Sequence, residues 1–430
     1  MVDLTLLKQL FDENTFTEIQ KHPDSGVIAG FGAIAGSEGT AAYAYIQDKN
    51  VKSGAVNQNA AAKMKKVYAS AVKFGTPVVA IFNSKGGEIS EGLELVDAYS
   101  EIIENAVQLS GVVPLISIVT GLCTGLNAVL CCMSDFVIMC RDAEMFFTPP
   151  FISEEETENA GTAEFNAGAG VANIIVNDAL EGVKKARELL KYLPKNNLEP
   201  TFFFGYEEND INITDRLKSE QLIKAVANKD NYIEINESFG RGGVTALGVL
   251  DNFAVGFVAL DKSDKLTADE TAKIARFVNF CDAFSLPVIS IIDNEGFEAS
   301  NKAEKSGFVR DLAKLAQVYA SATCPKINLI TGKATGAAFI LSGGFKSDFT
   351  LAYEGSFISP ISVKAAAVFL EMSEDDYIKE YASVQTALEK GYIDAVITPP
   401  EVRAALITAL NAVRDKRTAS PKRKHINMVF

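Results

Sequence analysis

The chain has 430 residues, 48% of them apolar and 22% charged, enough for two or three folded cores. Its 41 basic and 55 acidic side chains leave a net charge of −14, a field that disfavours nucleic acid and anionic lipid as partners. The two histidines, His22 and His425, lie one near each end, so a Ser–His–Asp triad, a His-rich metal site and a central His base are all disfavoured.

The opening segment MVDLTLLKQLFDE has no basic stretch leading into an apolar one, which argues against a secretory signal, and residues 1 to about 25 read as a polar helix. From Val27 the pattern turns strand-like, through VIAGFGAIAG and TAAYAYIQD. A helix over 57–74 stops at Gly75, before a proline. PVVAIFNS then reads as a buried strand, 91–109 as a helix and VVPLISIVTG as a second buried strand. Residues 151–169, acidic and rich in Gly and Ala, read as a surface loop, 178–193 as a helix, and 205–217 as a polar lead into a second domain. The order then repeats: a helix over 268–284, the strand LPVISIID, a helix over 303–321 and the strand CPKINLITG. No apolar run reaches the ~20 residues needed to cross a bilayer, so no integral membrane protein is expected.

Pro77 and Pro287, Pro114 and Pro325, Gly121 and Gly332, Gly125 and Gly336, and the tripeptides Ser134-Asp135-Phe136 and Ser347-Asp348-Phe349 recur in one order, 210 to 213 residues apart. So long a period marks two homologous domains and not a solenoid, with expected bounds of 1–215 and 216–430. The six cysteines, Cys123, Cys131, Cys132, Cys140, Cys281 and Cys324, form no C-x-x-C pair and mostly sit in apolar runs. Buried, reduced thiols in a cytoplasmic protein are expected, without a structural zinc. Between Arg414 and Lys424 lie six Lys or Arg residues, either a solvated tail or a docking patch for an anionic partner.

Two glycine-bearing turns recur. One is Asn83-Ser84-Lys85-Gly86-Gly87, matched by Asp293-Asn294-Glu295-Gly296. The other is Thr120-Gly121-Leu122-Cys123-Thr124-Gly125, matched by Thr331-Gly332-Lys333-Ala334-Thr335-Gly336. Each stands between a strand and a helix-like segment, where glycine either makes a tight connection or lets backbone N–H groups face a ligand oxygen. Two such amides form an oxyanion hole, which needs no histidine. The Lys333 segment is no Walker A loop, because it lacks the upstream glycine and the hydroxyl residue, and no dinucleotide fingerprint follows a first strand.

Several segments are similar to one family. ARFVNFCDAFSLPVISIIDNEGF (275–297) and KATGAA (333–338) are the strongest, supported by MFFTPPFI (145–152), GVANIIVND (170–178), YLP (192–194) and RKHIN (423–427). From about Val27 onward the chain resembles the carboxyltransferase subunits of biotin-dependent acyl-CoA carboxylases and acyl-CoA decarboxylases. The resemblance implies an α/β fold of two tandem crotonase-like domains of the ClpP/crotonase superfamily, built from ββα spiral units. It implies movement of a carboxyl group between N1 of biotin and the α-carbon of a short-chain acyl-CoA. One backbone oxyanion hole would come from each domain, the N-terminal one on the acyl-CoA side and the C-terminal one on the biotin side. Biotin would arrive on a separate carrier protein, no metal would be needed, and a homo-oligomer (a dimer or a trimer of dimers) would complete the site.

Carried onto this chain, the resemblance makes Gly86, Gly87, Gly336 and Ala337 the catalytic positions. It makes Gly121, Gly125, Gly296, Phe297, Lys333 and Ala338 the cofactor-binding ones. The first motif departs from the family: Lys85 stands where a glycine is usual, Glu88 where an arginine is, and Leu126-Asn127 where small residues are. Those departures leave a divergent, non-catalytic scaffold that binds biotinylated carrier open beside the enzyme reading. A crotonase-like hydratase or hydrolase is disfavoured for want of acid/base carboxylates. Glu88 and Glu91 read as helix N-terminal charges, Asp135 and Asp348 as turn residues, and Lys364 as a surface lysine or a ligand contact.

Overall fold

A computed structural model describes residues 4–21, 25–34, 40–149, 152, 159–199, 207–263, 265–418 and 421–428. His22, and parts of the segments 145–152, 151–169 and 205–217, lie outside the described residues. The chain forms two compact units, Met1–Thr201 and Phe202–Phe430.

The first unit runs α1 (Leu4–Leu10), β1 (Thr17–Glu18), β2 (Val27–Ile34), β3 (Thr40–Gln47), α2 (Gln58–Phe74), β4 (Val78–Ser84), α3 (Leu93–Val107) and β5 (Leu115–Thr124). It continues with α4 (Leu126–Cys132), β6 (Phe136–Cys140), β7 (Glu144–Phe146), α5 (Ala163–Gly168), β8 (Ile174–Val176) and α6 (Ala179–Tyr192). The second runs α7 (Ser219–Val226), β9 (Tyr232–Ile235), β10 (Val244–Leu250), β11 (Phe253–Leu260), α8 (Ala268–Ala283), β12 (Val288–Asn294), α9 (Asn301–Ser306), α10 (Phe308–Ser321) and β13 (Lys326–Thr335). It ends with α11 (Gly336–Leu341), β14 (Phe349–Tyr353), β15 (Phe357–Ser359), α12 (Val363–Phe369), α13 (Glu374–Tyr377), α14 (Val384–Glu389), β16 (Ala395–Ile397) and α15 (Val402–Val413).

Both sheets follow one plan. In the first, β1, β2 and β3 pair antiparallel, β3-β4-β5-β6-β8 run parallel, and β7 pairs with the end of β5. In the second, β9, β10 and β11 are antiparallel, β11-β12-β13-β14-β16 parallel, and β15 joins the end of β13. The parallel strands are apolar along nearly their whole length, as strands covered on both faces must be. The recurring prolines give up an N–H but start the ladders with their carbonyls. Tyr43 donates to Pro77 at 2.9 Å and Gly256 to Pro287 at 2.8 Å, while Val78 donates to Pro114 at 2.9 Å and Val288 to Pro325 at 2.8 Å. A repeat not visible as a motif ties each unit's last helix to its first: Arg187 donates to Leu10 O and Asp12, and Arg403 to Val226 O and Asn228.

Local chemistry explains the helix bounds. Asn57 caps α2 by accepting from Ala60 N–H at 2.8 Å, and Thr267 with Glu270 forms a capping box on α8. Four expectations are corrected. The N-terminal helix is only Leu4–Leu10, because the chain then turns to lay β1 against β2. The segment 303–321 is two helices, broken at Gly307. Part of the expected 151–169 loop is the short helix α5, capped by Thr162. β5 and β13 do not stop at the first glycine of their turns but run on to Thr124 and Thr335. Five of the six cysteines are buried, and burial pushes the Cys131 and Cys281 thiols up.

Lys63 and Lys273 hold equivalent places on α2 and α8, each only 2% exposed. The Lys273 ammonium donates to Gly243 O at 3.0 Å, and burial lowers its pKa from 10.5 to about 8, with Glu234 opposing the shift. The folded state therefore releases this proton before the unfolded chain does, so stability rises with pH between about 8 and 10.5. Urea unfolding at pH 8 and pH 10 should show the wild type gaining roughly 1–3 kcal/mol on a Lys273→Met variant. A gap that stays constant with pH refutes the assignment.

Candidate active site

In each unit two turns meet at the C-terminal ends of neighbouring parallel strands, where α/β sheets open a crevice. In the first unit β4 and β5 pair in register up to Phe82 and Val119, then resume at Ser84 and Cys123, so three residues of β5 lie opposite Asn83 alone. The second unit repeats this, with Ile292 on Ile330 and then Asn294 on Ala334. Beyond the irregularity β5 leaves β6 and pairs with β7, and β13 leaves β14 for β15. The bend swings the strand end, with the helix that follows it, away from the sheet.

Gly121 and Gly332 sit inside that bend, within strands. A Cβ on Gly121 would lie 2.5 Å from Asn83 Oδ1, and one on Gly332 2.4 Å from Asp293 Oδ1. These glycines are small so that the polar side chain of the neighbouring strand can pack on them. Asp293 uses the closeness: it accepts from Lys333 N–H at 2.9 Å and from Lys218 Nζ at 2.5 Å. Lys333 Nζ in turn reaches Glu295 at 2.6 Å.

Gly125 and Gly336 make the turns proper, with φ +60° and +57°. Each leads into a short helix whose first amides, Leu126 and Asn127 on α4, Ala337 and Ala338 on α11, have no helical carbonyl to bond. Gly125 N–H itself is donated to Phe146 O at 3.1 Å. Beside Gly125 the space a Cβ would enter is open, and beside Gly336 it is limited by Pro360 O at 3.3 Å.

The other turn reaches the same place, since a Cβ on Gly86 would lie 3.3 Å from Thr124 Oγ1. Gly86 N–H is donated to Ser84 Oγ at 3.1 Å, and Gly296 N–H to Asn294 Oδ1 at 2.7 Å. The flanking backbone is laddered to Val56 in the first unit and to Leu266 in the second. Gly87 and Phe297 are therefore the residues whose N–H groups have no protein acceptor among the described residues, and Phe297 additionally stacks edge-on against Phe308.

The remaining polar residues near the turns are structurally committed. Glu88 accepts from Ser90 at 2.7 Å and lies 3.7 Å from Lys52; the Ser90 hydroxyl, then Lys52 and Lys85, hold its carboxyl below the usual range. Glu91 accepts from Gln58 N–H at 2.8 Å and so serves the N-terminus of α2. Asp135 accepts from Leu115 N–H at 2.8 Å, and Asp348 from Lys326 N–H at 2.7 Å, matched turn residues. Lys364 is exposed on α12. Asn127, Asn83 and Asp293 carry more of the site's geometry than the motifs suggest. The available signal was an asparagine on an otherwise apolar helix and a polar residue at matched strand ends.

Next to Gly336 lies a cleft of about 400 Å³ whose lining includes Phe339, Ile340, Phe345, Ser359, Pro360 and Tyr392. Among the described residues no cluster of three or more His, Cys, Asp or Glu is placed to hold a metal ion, and no helix is long and apolar enough to cross a membrane.

Residues 5–428 match the carboxyl transferase domain family. The chain is 30% identical to the methylmalonyl-CoA decarboxylase subunit alpha of Veillonella parvula, over 98% of this chain and 92% of that one. It is 30% identical to the propionyl-CoA carboxylase beta chain of Roseobacter denitrificans, over 95% of this chain and 87% of that one. Its fold superposes on transcarboxylase 12S, a hexamer solved with hydrolysed methylmalonyl-coenzyme A bound, with a TM-score of 0.93 at 27% identity, covering 100% of this chain and 92% of that one. The two sheets are thus the tandem crotonase-like domains of that architecture, and the chain belongs to the carboxyl transferase family.

Proposed function

We propose that this chain is the carboxyltransferase subunit of a biotin-dependent complex, moving a carboxyl group between carrier-borne biotin and the α-carbon of a short-chain acyl-CoA such as propionyl- or methylmalonyl-CoA. The observation that carries the reading is the repeated meeting of two glycine turns whose Gly87 and Leu126 amides in one unit, and Phe297, Ala337 and Ala338 amides in the other, have no protein acceptor among the described residues.

On the first unit the Gly86-Gly87 turn and the head of α4 after Gly125 hold the thioester oxygen. When the carboxyl leaves, or the α-proton is removed, charge moves onto that oxygen, and the fixed amides stabilise it without reorganising. On the second unit the Gly336-Ala337 turn holds the ureido oxygen of biotin. Lys333, Gly296 and Ala338 border that turn, and the cleft beside Phe339 and Ile340 suits an apolar ring that ends in one carbonyl. Biotin supplies the nitrogen that takes or gives the carboxyl. Run either way, the same step serves a carboxylase or a decarboxylase. Partner chains would be a biotin carrier and further copies of this chain.

Two of the departures in the first motif are kept in place by the fold: Asn127 is fully buried, and Glu88 is held by Ser90 and Lys52, which favours an enzyme over a scaffold. Two measurements test the reading. Methylmalonyl-CoA should be converted to propionyl-CoA only when biotin or biotinylated carrier is added. A CoA nitronate that mimics the enolate should bind at least about 100-fold more tightly than propionyl-CoA. Equal affinity for the two CoA compounds would remove the enolate-holding role.

A further inference from the structure

The two units solve one local problem differently. Each must fix the turn after its first inner parallel strand so that the amide beyond the glycine stays aimed. The second unit uses one side chain. Asn294 accepts from Gly296 N–H at 2.7 Å and donates to Ser263 O at 2.9 Å. At the equivalent place in the first unit stands Ser84, too short to span that distance. Its hydroxyl accepts from Gly86 N–H at 3.1 Å and donates to Gly86 O at 3.1 Å. The remaining lone pair accepts from Asn127 Nδ2 at 2.9 Å, so the hydroxyl's one proton and two lone pairs are all used. Asn127 is the second residue of α4 and is 0% exposed, and its Oδ1 faces Gln47 Nε2 at 3.4 Å. Gln47 also accepts from Asn83 N–H at 3.2 Å. In the second unit Ala338 and Leu260 stand where Asn127 and Gln47 do, and no such link is possible.

We infer that Asn127 is a positioning residue for carboxyl transfer: through Ser84 it locks the Gly86-Gly87 turn to the head of α4, so that amides from two separate elements keep one spacing around the thioester oxygen. This rests on the reading of that turn as the acyl-CoA site. A polar side chain buried in an apolar helix costs stability unless fully bonded, and here its bonds join the two halves of the hole. The Asn127 side chain is buried behind the turn and bonded to Ser84 and Gln47. It acts through the backbone it holds.

The duplication supplies the test. Asn127→Ala should lower kcat about tenfold or more and abolish most of the tight binding of the CoA nitronate, while the affinity for propionyl-CoA changes less than threefold. Ser84→Ala should do the same, and the double variant should be no worse than either single one, as for residues acting in one unit. The graft Ser84→Asn/Asn127→Ala copies the second unit's arrangement at nearly constant volume. Ser53, the counterpart of Ser263, already presents its carbonyl there, accepting from Lys85 N–H at 3.2 Å. The graft should recover kcat and nitronate binding to within threefold of wild type. Thermal melts of all four proteins separate this from general damage, and Ser84→Ala serves if Asn127→Ala does not fold. A kcat for Asn127→Ala within twofold of wild type, or a folded graft that recovers nothing, overturns the proposal. If the wild type itself does not prefer the nitronate, the acyl-CoA assignment fails instead.

Discussion

Replacing Gly336 with valine is expected to lower biotin-dependent turnover of methylmalonyl-CoA at least about 100-fold while the protein stays folded and still binds propionyl-CoA. Gly336 has φ +57°, where a residue with a Cβ is strained by roughly 1–2 kcal/mol and a β-branched one by more. A Cβ there would also lie 3.3 Å from Pro360 O, a backbone atom that cannot swing aside. The turn must rotate, and with it the Ala337 and Ala338 amides. The strain is local and small against a core that includes Phe257, Ile291 and Leu329, all at most 1% exposed, so activity is lost before structure. Steady-state turnover, a thermal melt and a propionyl-CoA titration on the same preparation decide it. Turnover above a tenth of wild type would sink the biotin-side assignment.

Asp293→Ala should also have a large effect. It removes the acceptor of Lys333 N–H, held at 2.9 Å, and the partner of Lys218, and opens a void against Gly332. An amide left unpaired in a part-buried place costs about 1–3 kcal/mol, and the bend that carries Gly336 loses its anchor. Turnover should fall about tenfold and the unfolding midpoint should drop. Asp293→Asn should restore most of both, because Asn83 fills the equivalent position in the first unit and packs on Gly121 in the same way. If Asp293→Asn is as impaired as Asp293→Ala, the carboxylate has a role that the packing does not explain.

Much of the scaffold was legible because it rests on local patterns. Strands covered on both faces must be apolar along their length, so PVVAIFNS and LPVISIID show up directly, and the prolines that open them recur at a fixed spacing. Asn57 before α2 and Gly75 after it mark that helix at both ends. The turns at Gly125 and Gly336 were legible because a left-handed backbone position admits few residues besides glycine, and the family through longer segments such as 275–297 and 333–338.

The sequence by itself determined the duplication, the α/β class and the two pairs of turns on which the proposed carboxyltransferase site rests. The tertiary structure alone decided which amides those turns leave open. Gly86 looks like a donor in a motif, but its N–H goes to Ser84, and Gly121 looks like a turn residue but lies inside β5 under Asn83. The reason is physical: whether a backbone N–H faces a ligand depends on the bend in a parallel ladder and on side chains 36 to 43 residues away, as with Gln47 and Asn83, or Asn127 and Ser84. No local pattern encodes those partners, because they meet only once the strands have paired.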